Sequence, residues 1–411
     1  MDDASRFECF LLAPPALLLF LLPFAHTTAL RSIALVLTVA VAIYAWRKNP
    51  GPPVPLKIPL ALWVGMAFLS LAWARNLAYS LGEIRAEIGL NIVYFLAFFA
   101  LTRERRHWNV FRGALLAGLA AIAGIAAWVY ARSGDLNTDS YLGGVLSIST
   151  HLVTLFPLML VAVFEFRGDR RSLAVAVLAA TAAVLVGYFT FNRMFIFAVA
   201  ASGLTVAVTL IRRHVPSSRR LRMFALTAAI FIGAGGVFFI SVAQHRAGTE
   251  QVGKTVQTTV EGDPRWDIWK FSLGLIRERP LTGVGFGRFA AEDLYRARFP
   301  EERLFLHAHN LFLNYAVQMG IGGVTVLLFL IFCVVREFWK LWRCDHVQVS
   351  LIGAAGLAMV AGVLVKTQTD SLWGRHDGYL FWSLSGMMLG YAHRLLRGPG
   401  RPASSREIDN P

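Results

Sequence analysis

Apolar residues along the chain come in blocks of membrane-spanning length, separated by short polar segments. A bilayer core needs roughly 20 apolar residues per helix, and lipid forces every backbone polar group to bond internally, which favours helices. The pattern predicts spans at about residues 9–25, 30–46, 58–74, 86–102, 110–131, 146–166, 172–189, 193–211, 221–242, 309–335, 349–368 and 377–395. We therefore predict an all-α integral membrane protein of about twelve transmembrane helices, organised as a single polytopic domain over 1–411.

Composition supports this prediction and indicates an orientation. Of the 411 residues, 56% are hydrophobic, which is too many for a soluble domain of this size, and the formal net charge is +15. Every second loop and the C-terminal tail are rich in Lys and Arg, for example Arg103 to Arg106 and Arg212 to Arg222. Short basic loops stay in the cytoplasm, so both termini are predicted to be cytoplasmic. Because the basic residues are spread over many loops and form no single face, nucleic-acid binding is a poor explanation of the charge.

One long polar interval interrupts the apolar pattern, from about Ser241 to Gly323, and we predict a large external loop with short helices at 243–306. The three cysteines, Cys9, Cys333 and Cys344, lie in predicted spans or on the inner side, so this loop has no disulfide available to it.

Ionisable residues avoid the middle of the predicted spans, where charge is costly and usually marks an ion or proton path. Polar residues gather instead at the outer ends: Arg75, Glu83, Arg85, Glu87, His151, Asn192, Arg193, Lys366, Asp370, Arg375, His376 and Asp377. For most of them the preferred explanation is snorkelling or solvation in loops. The functional residues are nevertheless predicted to lie on the external side of the membrane.

The polar interval contains a predicted surface helix that begins at Asp263-Pro264-Arg265 and ends before Pro280. Asp is a favourable N-cap and Pro is favoured at the first helical position. Arg265 would then lie beside the free N–H groups of the first turn, a site that binds phosphate well. The alternative is that Arg265 pairs with an acid such as Asp267 or Glu261. Trp269 recurs with other apolar residues on one face of this helix.

Two further turns carry candidate chemistry. Gly283-Val-Gly285-Phe-Gly287 is a glycine-rich turn without a preceding strand, so we interpret it as tight packing between two surface helices, the second at about 288–298. Arg193 lies in a short turn between two spans, where a phosphate clamp and a snorkelling anchor are equally good interpretations.

His307-Ala308-His309-Asn310 opens the tenth predicted span. A histidine at the membrane surface is a candidate general base, because imidazole titrates near neutral pH. A structural histidine and a metal ligand are the alternatives. The metal is the weakest of these, because no acidic cluster lies nearby to complete a site.

At these residues the sequence resembles the bacterial O-antigen ligases, within the larger family that includes O-antigen polymerases and protein O-oligosaccharyltransferases. The ligase pattern is His, then Asn, Ser or Gln, nine residues, Gly, two residues, and Gly, Thr or Tyr. Here His309-Asn310, nine residues, Gly320, two residues and Gly323 match it completely. Arg265-x-x-x-Trp269 followed by the Pro280 to Gly285 segment is similar to the family's external-loop signature, and Arg193 occupies the family's outer-turn arginine.

The resemblance implies a fold like the GT-C glycosyltransferases and transfer of O-antigen from undecaprenyl diphosphate to a sugar of lipid A–core, on the periplasmic face of the bacterial inner membrane. His309 is the candidate base, Arg193 and Arg265 would bind the diphosphate, and His307, Asn310, Arg288 and Trp269 are supporting candidates. No cofactor is expected. Metal-dependent enzymes of this kind use acidic motifs in the first external loop, whereas the segment from His26 to Arg31 contains no acid, so no metal requirement is predicted.

Four competing functions are distinguishable. An O-antigen polymerase or a protein O-oligosaccharyltransferase would use the same donor with another acceptor, although the latter class usually carries more chain after its last spans. A transporter suits the number of spans but usually places polar or broken-helix sites near the midplane, which this sequence lacks. A structural assembly factor would not need Arg265 and His309 in their motif positions.

Overall fold

The computed structural model describes residues 3–134, 136, 139–247, 265–301, 306–369 and 376–397, and the described part of the chain is helical. The α-helices in chain order are α1 (Asp3–Leu21), α2 (Thr28–Lys48), α3 (Lys57–Leu69), α4 (Leu77–Glu83), α5 (Leu90–Leu101), α6 (Arg105–Ser133), α7 (Asp139–Leu142), α8 (Gly144–Glu165), α9 (Arg170–Phe189), α10 (Arg193–His214), α11 (Ser217–Ala247), α12 (Arg265–Glu278), α13 (Glu292–Arg298), α14 (Leu311–Arg343), α15 (Val347–Lys366) and α16 (His376–Arg397). A 3₁₀ turn, Ser70–Trp73, extends α3, and a π-helical segment, Ile84–Gly89, joins α4 to α5.

Within these described ranges, nine helices are long and apolar enough to cross a membrane, counting Leu77–Leu101 as one. Two further apolar helices, Phe10–Leu21 and Lys57–Trp73, are shorter. The nine long helices, these two shorter helices and α16 together place a helix at each of the predicted spans. The prediction of an all-α integral membrane protein is confirmed.

Capping residues set the helix boundaries around the candidate site. The side chain of Asn192 accepts a hydrogen bond from the backbone N–H of Met194 (3.1 Å) and starts α10. Asn310 likewise accepts from Phe312 (3.0 Å) and starts α14. Asn is among the best N-cap residues, because its side chain satisfies donors that the first helical turn leaves unbonded. The sequence thus starts two long helices immediately beside Arg193 and His309.

Aromatic residues from distant parts of the chain form the core. Trp63 of α3 stacks on Trp382 of α16 with ring centroids 5.8 Å apart. Phe95 of α5 meets the same Trp382 edge-on. Glycines on α16 let α5 approach closely, because a Cβ on Gly386 would lie 2.2 Å from the carbonyl oxygen of Phe95. This core fixes α3, α5 and α16 relative to one another.

A break inside α14 is the feature of the fold that most affects the site. Gly320 has φ 64° and ψ −163°, far from helical values. The backbone N–H of Ile321, just beyond the break, donates to the carbonyl of Pro280 (2.8 Å). A Cβ on Gly320 would lie 2.5 Å from the carbonyl carbon of Leu281. The segment between α12 and α13 therefore inserts its 280–281 turn into the break of a membrane helix.

Burial corrects one interpretation made from the sequence. Glu83, Glu87, His151 and Lys366 were expected to be solvated or snorkelling, but all four side chains are buried. Glu83 and Glu87 flank the start of the π-helical segment, and π-helical turns occur frequently at functional sites. Their positions at helix ends suggested contact with water, whereas helix packing encloses them.

Candidate functional site

The segment from His307 to Asn310 lies at the entrance to α14 and is held on two sides. On one side, the indole Nε1 of Trp269 donates to the carbonyl of Ala308 (3.0 Å). On the other, the Asn310 Nδ2 donates to the carbonyl of Gln368 (3.1 Å), just after α15. The segment is therefore fixed between the short helix α12 and the end of a membrane helix.

His307 is a buried residue that orients Arg288. Arg288 Nε donates to His307 Nε2 (3.0 Å), and Arg288 Nη2 lies 2.8 Å from the same nitrogen. The backbone N–H of His309 donates to His307 Nδ1 (3.0 Å). A neutral imidazole can accept a hydrogen bond at one of its two nitrogens, whereas a protonated ring could accept at neither. Burial, then the charge of Arg288 and then His309 hold the pKa of His307 well below its ordinary value, so this ring stays neutral.

His309 differs from His307 in exposure and in backbone conformation. Its side chain is partly exposed, and its ring stacks on that of His307 with centroids 3.9 Å apart and planes 27° apart. Its φ of 46° is in the left-handed region, which few non-glycine residues adopt and which often marks a functional site. Of the two histidines, His309 is thus the more accessible one.

Asn310 has a structural role. Its side-chain oxygen accepts from the N–H groups of both Phe312 and Leu313, and its nitrogen donates to Gln368. These contacts occupy both ends of the amide. Asn310 therefore positions His309 by capping α14, and the Asn in the sequence pattern has a physical explanation.

Arg265 is the first residue of α12 that the structure describes, and it lies one helical turn before Trp269. Residues four apart lie on the same face of a helix, and Trp269 contacts the backbone of the histidine segment. Arg265 therefore lies on the face of α12 that is turned towards His309. The predicted N-cap at Asp263-Pro264 lies outside the described residues.

Arg193 lies at the same end of the bundle as His309. The hydroxyl of Ser202 on α10 donates to the carbonyl of Ala358 on α15 (3.0 Å), and a Cβ on Gly362 would lie 3.1 Å from the carbonyl oxygen of Ala198. Residue numbers rise along α10 as they fall along α15 in these two contacts, so the helices are antiparallel. Continued to the start of α10 at 1.5 Å per residue, this register places Arg193 level with the end of α15, to within about one turn. That end binds the start of α14, because the N–H of Leu311 donates to the carbonyl of Thr367 (3.1 Å).

The glycine-rich turn has a further partner besides the two surface helices that were predicted. Gly283, Gly285 and Gly287 all have positive φ, and a Cβ on Gly285 would lie 2.7 Å from the Cα of Ala74. The N–H groups of Gly285 and Gly287 donate to the backbone carbonyl (2.9 Å) and side-chain oxygen (3.0 Å) of Gln318. The turn packs on membrane helices as well as between α12 and α13, and α13 begins at Glu292, later than expected.

Two residues that sequence reasoning missed hold Arg288 in place. The hydroxyl of Tyr79 accepts from the N–H of Phe289 (2.9 Å), and Gln318 binds Gly287. Arg288 therefore lies between two anchored residues. Gln318 is two residues before Gly320 of the sequence pattern, which is a usable signal, whereas nothing in the sequence indicates Tyr79.

Acidic groups near the site serve the scaffold. Arg75 forms an ion pair with Asp293 (2.5 Å) and joins the outer end of α3 to α13. In the part of the chain that the structure describes, no three His, Cys, Asp or Glu side chains converge as a metal site. Metal independence remains a prediction.

A comparison with protein families identifies the segment that contains this site. A family model described as O-antigen ligase matches residues 174–328. That segment runs from α9 to the middle of α14 and includes Arg193, Arg265, His309 and Gly320. A search of curated proteins found no match. On this match, residues 174–328 are similar to the O-antigen ligase family, as the resemblance of the sequence motifs predicted.

Proposed function

We propose that this protein is a metal-independent O-antigen ligase, which transfers O-antigen polysaccharide from undecaprenyl diphosphate to a sugar hydroxyl of lipid A–core. The family indicates a glycosyltransferase-type enzyme of lipopolysaccharide biosynthesis in a membrane. The observation that carries the proposal is the position of His309, partly exposed and in a left-handed conformation, at the end of the bundle that also presents Arg193. The site faces the periplasm in the proposed topology, with both termini in the cytoplasm of the bacterial inner membrane.

The chemistry requires a base and a site for the leaving group. His309 takes the proton from the acceptor hydroxyl as its oxygen forms a bond to the anomeric carbon of the donor sugar. The bond from that carbon to the diphosphate oxygen breaks, and undecaprenyl diphosphate leaves with the bonding electrons. Arg193 and Arg265 stabilise the developing negative charge, because guanidinium groups bind phosphate in a bidentate manner.

The two histidines divide the work. His307 stays neutral and accepts from Arg288, which fixes the guanidinium beside the reacting groups. Since the Nε2 of His307 faces Arg288 and its Nδ1 faces the N–H of His309, both ring nitrogens are directed at groups of the protein. His307 and Arg288 are positioning residues, and His309 is the base.

The test uses the purified protein in lipid with undecaprenyl-diphosphate-linked glycan, lipid A–core and chelator. We expect glycan joined to lipid A–core. Loss of product in Arg265→Gln, with product retained in Arg277→Gln at the other end of the same helix, supports the diphosphate site. Arg193→Gln and Arg212→Gln form the same comparison on α10.

Other products point to the alternatives. Longer glycan on the carrier would make the protein a polymerase, and glycan on protein would make it an O-oligosaccharyltransferase. Movement of lipid-linked glycan across the membrane without transfer would indicate a transporter. Activity lost in chelator and restored by Mg²⁺ or Mn²⁺ would refute the metal-independent mechanism.

A further inference from the structure

A groove between α2 and α5 lies far from the candidate site. The groove has a volume of about 470 Å³ and is lined almost entirely by apolar side chains, among them Val39, Ile43, Val93 and Leu96. That volume falls within the roughly 300–1,000 Å³ typical of sites for small ligands. The lining extends to the last turns of both helices, at the opposite end of the bundle from the entrance to α14.

Three guanidinium groups surround the end of this groove. Arg47 is exposed and lines the groove. Arg103 Nη2 donates to the carbonyl of Ala45 on the last turn of α2 (2.5 Å). Arg394 Nη1 donates to the carbonyl of Phe99 on the last turn of α5 (2.7 Å). These carbonyls accept hydrogen bonds from Arg103 and Arg394 without neutralising the charge of either guanidinium group.

The arrangement of the cations indicates an anionic ligand. Arg394 and Arg103 both donate to the carbonyl of Ala100, at 3.3 Å and 3.0 Å, so two positive charges converge on one helix end. A Cβ on Gly51 would lie 2.5 Å from Arg394 Nη2, which places the segment after Arg47 against the same cluster. The exposed Glu104 interacts electrostatically with Arg103. Its single negative charge is smaller than the combined positive charge of Arg47, Arg103 and Arg394.

We propose that the groove binds one acyl chain of an anionic phospholipid, with its phosphate at Arg47 beside Arg103 and Arg394. A basic site between membrane helices at the cytoplasmic surface is suited to an anionic headgroup, and the proposed topology puts this end in the cytoplasmic leaflet. The shape favours a chain over a protein partner, because a helix about 10–12 Å across would fill this volume in about one turn. The proposal is independent of the transfer reaction.

The test is native mass spectrometry of the purified full-length protein after incubation with equal amounts of phosphatidylglycerol and phosphatidylcholine. We expect phosphatidylglycerol to be retained at least tenfold more than phosphatidylcholine. Val39→Trp, which fills the groove, should abolish retention, whereas Val36→Trp on the exposed surface of the same helix should not. Arg47→Gln should remove the preference for the anionic lipid, whereas Lys57→Gln, an exposed cation on α3, should not.

The thermal unfolding temperatures of Val39→Trp and Val36→Trp should agree, which shows that the loss of lipid reflects the filled groove. Equal retention of both lipids would overturn the headgroup site. Retention by Val39→Trp at the wild-type level would overturn the groove as the site. A second copy of the chain in place of lipid, lost in Val39→Trp, would identify the groove as a protein interface and refute the proposal.

Discussion

Gly320→Ala tests whether the break in α14 is required for the site. Gly320 is the glycine of the His-Asn-x₉-Gly-x₂-Gly pattern, and its φ of 64° with ψ of −163° is a conformation that essentially only glycine adopts. An added Cβ would lie 2.5 Å from the carbonyl carbon of Leu281 and 2.6 Å from the carbonyl oxygen of Pro280. Both neighbours are backbone atoms, so rotation of a side chain cannot relieve the clash.

The expected cost has two parts. Forcing an alanine into this backbone region costs on the order of 1–3 kcal/mol, and overpacking against fixed atoms costs a further ~1–3 kcal/mol. Together they exceed the loss of the hydrogen bond from Ile321 to Pro280, which contributes about 0.5–1.5 kcal/mol. We therefore expect the 280–281 turn to be pushed out of the break. This displacement strains the hydrogen bonds from Gly285 and Gly287 to Gln318, so the next residue, Arg288, should shift and transfer should fall sharply.

Gly322→Ala is the matched control. Gly322 has helical geometry, and its added Cβ would meet only the end of the Met66 side chain, at 3.2 Å from Cε, which can move. Each variant would be assayed for transfer to lipid A–core and for thermal unfolding in lipid nanodiscs. If Gly320→Ala retained the activity and the unfolding temperature of Gly322→Ala, the break would be incidental and the reasoning refuted.

Three further outcomes follow from the site. His309→Asn, which tolerates positive φ, should abolish transfer without unfolding the loop, whereas His26→Asn, at the other positive-φ histidine, should leave transfer intact. Trp269→Phe keeps an aromatic ring but loses the hydrogen bond from the indole N–H to Ala308, which contributes about 0.5–1.5 kcal/mol. Its unfolding temperature should therefore fall more than that of Trp266→Phe, since the side chain of Trp266 is half-exposed. Folding lowers the pKa of His307, so as pH falls below ~6.5 the unfolded state binds a proton that the folded state does not bind. The free energy of unfolding then decreases by at most ~1.4 kcal/mol per pH unit. The wild type should therefore lose stability between pH 6.5 and 4.5 faster than His307→Gln, and parallel curves would contradict this assignment.

The sequence predicts the helices well because their signals are local. Apolar length, capping residues such as Asn192 and the stop at Pro280 each act within a few residues, and the helices start and end close to the predicted positions. The same is true of the pattern around His309, where the cap at Asn310 explains one member. At these positions, interactions between residues close in sequence are sufficient to predict where a helix starts or ends.

Contacts between distant segments could not be predicted in this way. Glu83 stands at the end of a predicted span, where solvation is the simplest interpretation, yet packing buries it. The sequence assigns the glycine-rich turn to packing between surface helices, whereas the turn also binds Gln318 of α14, about thirty residues further along the chain. Both differences arise where the external segment meets the membrane helices, a contact that depends on tertiary structure.

The nine-residue spacing in the family pattern has a structural explanation in these contacts. His309 and Gly320 are separated by the first helical turns of α14, and the break at Gly320 receives the turn that leads to Arg288. Arg288 then returns to His307, two residues before His309. The contacts of the pattern thus lead from His309 along the helix to the break, and from the break through Arg288 back to His307. A change in the length of this helical stretch would shift the break relative to Arg288, so the spacing is as important to the site as the residues at its ends.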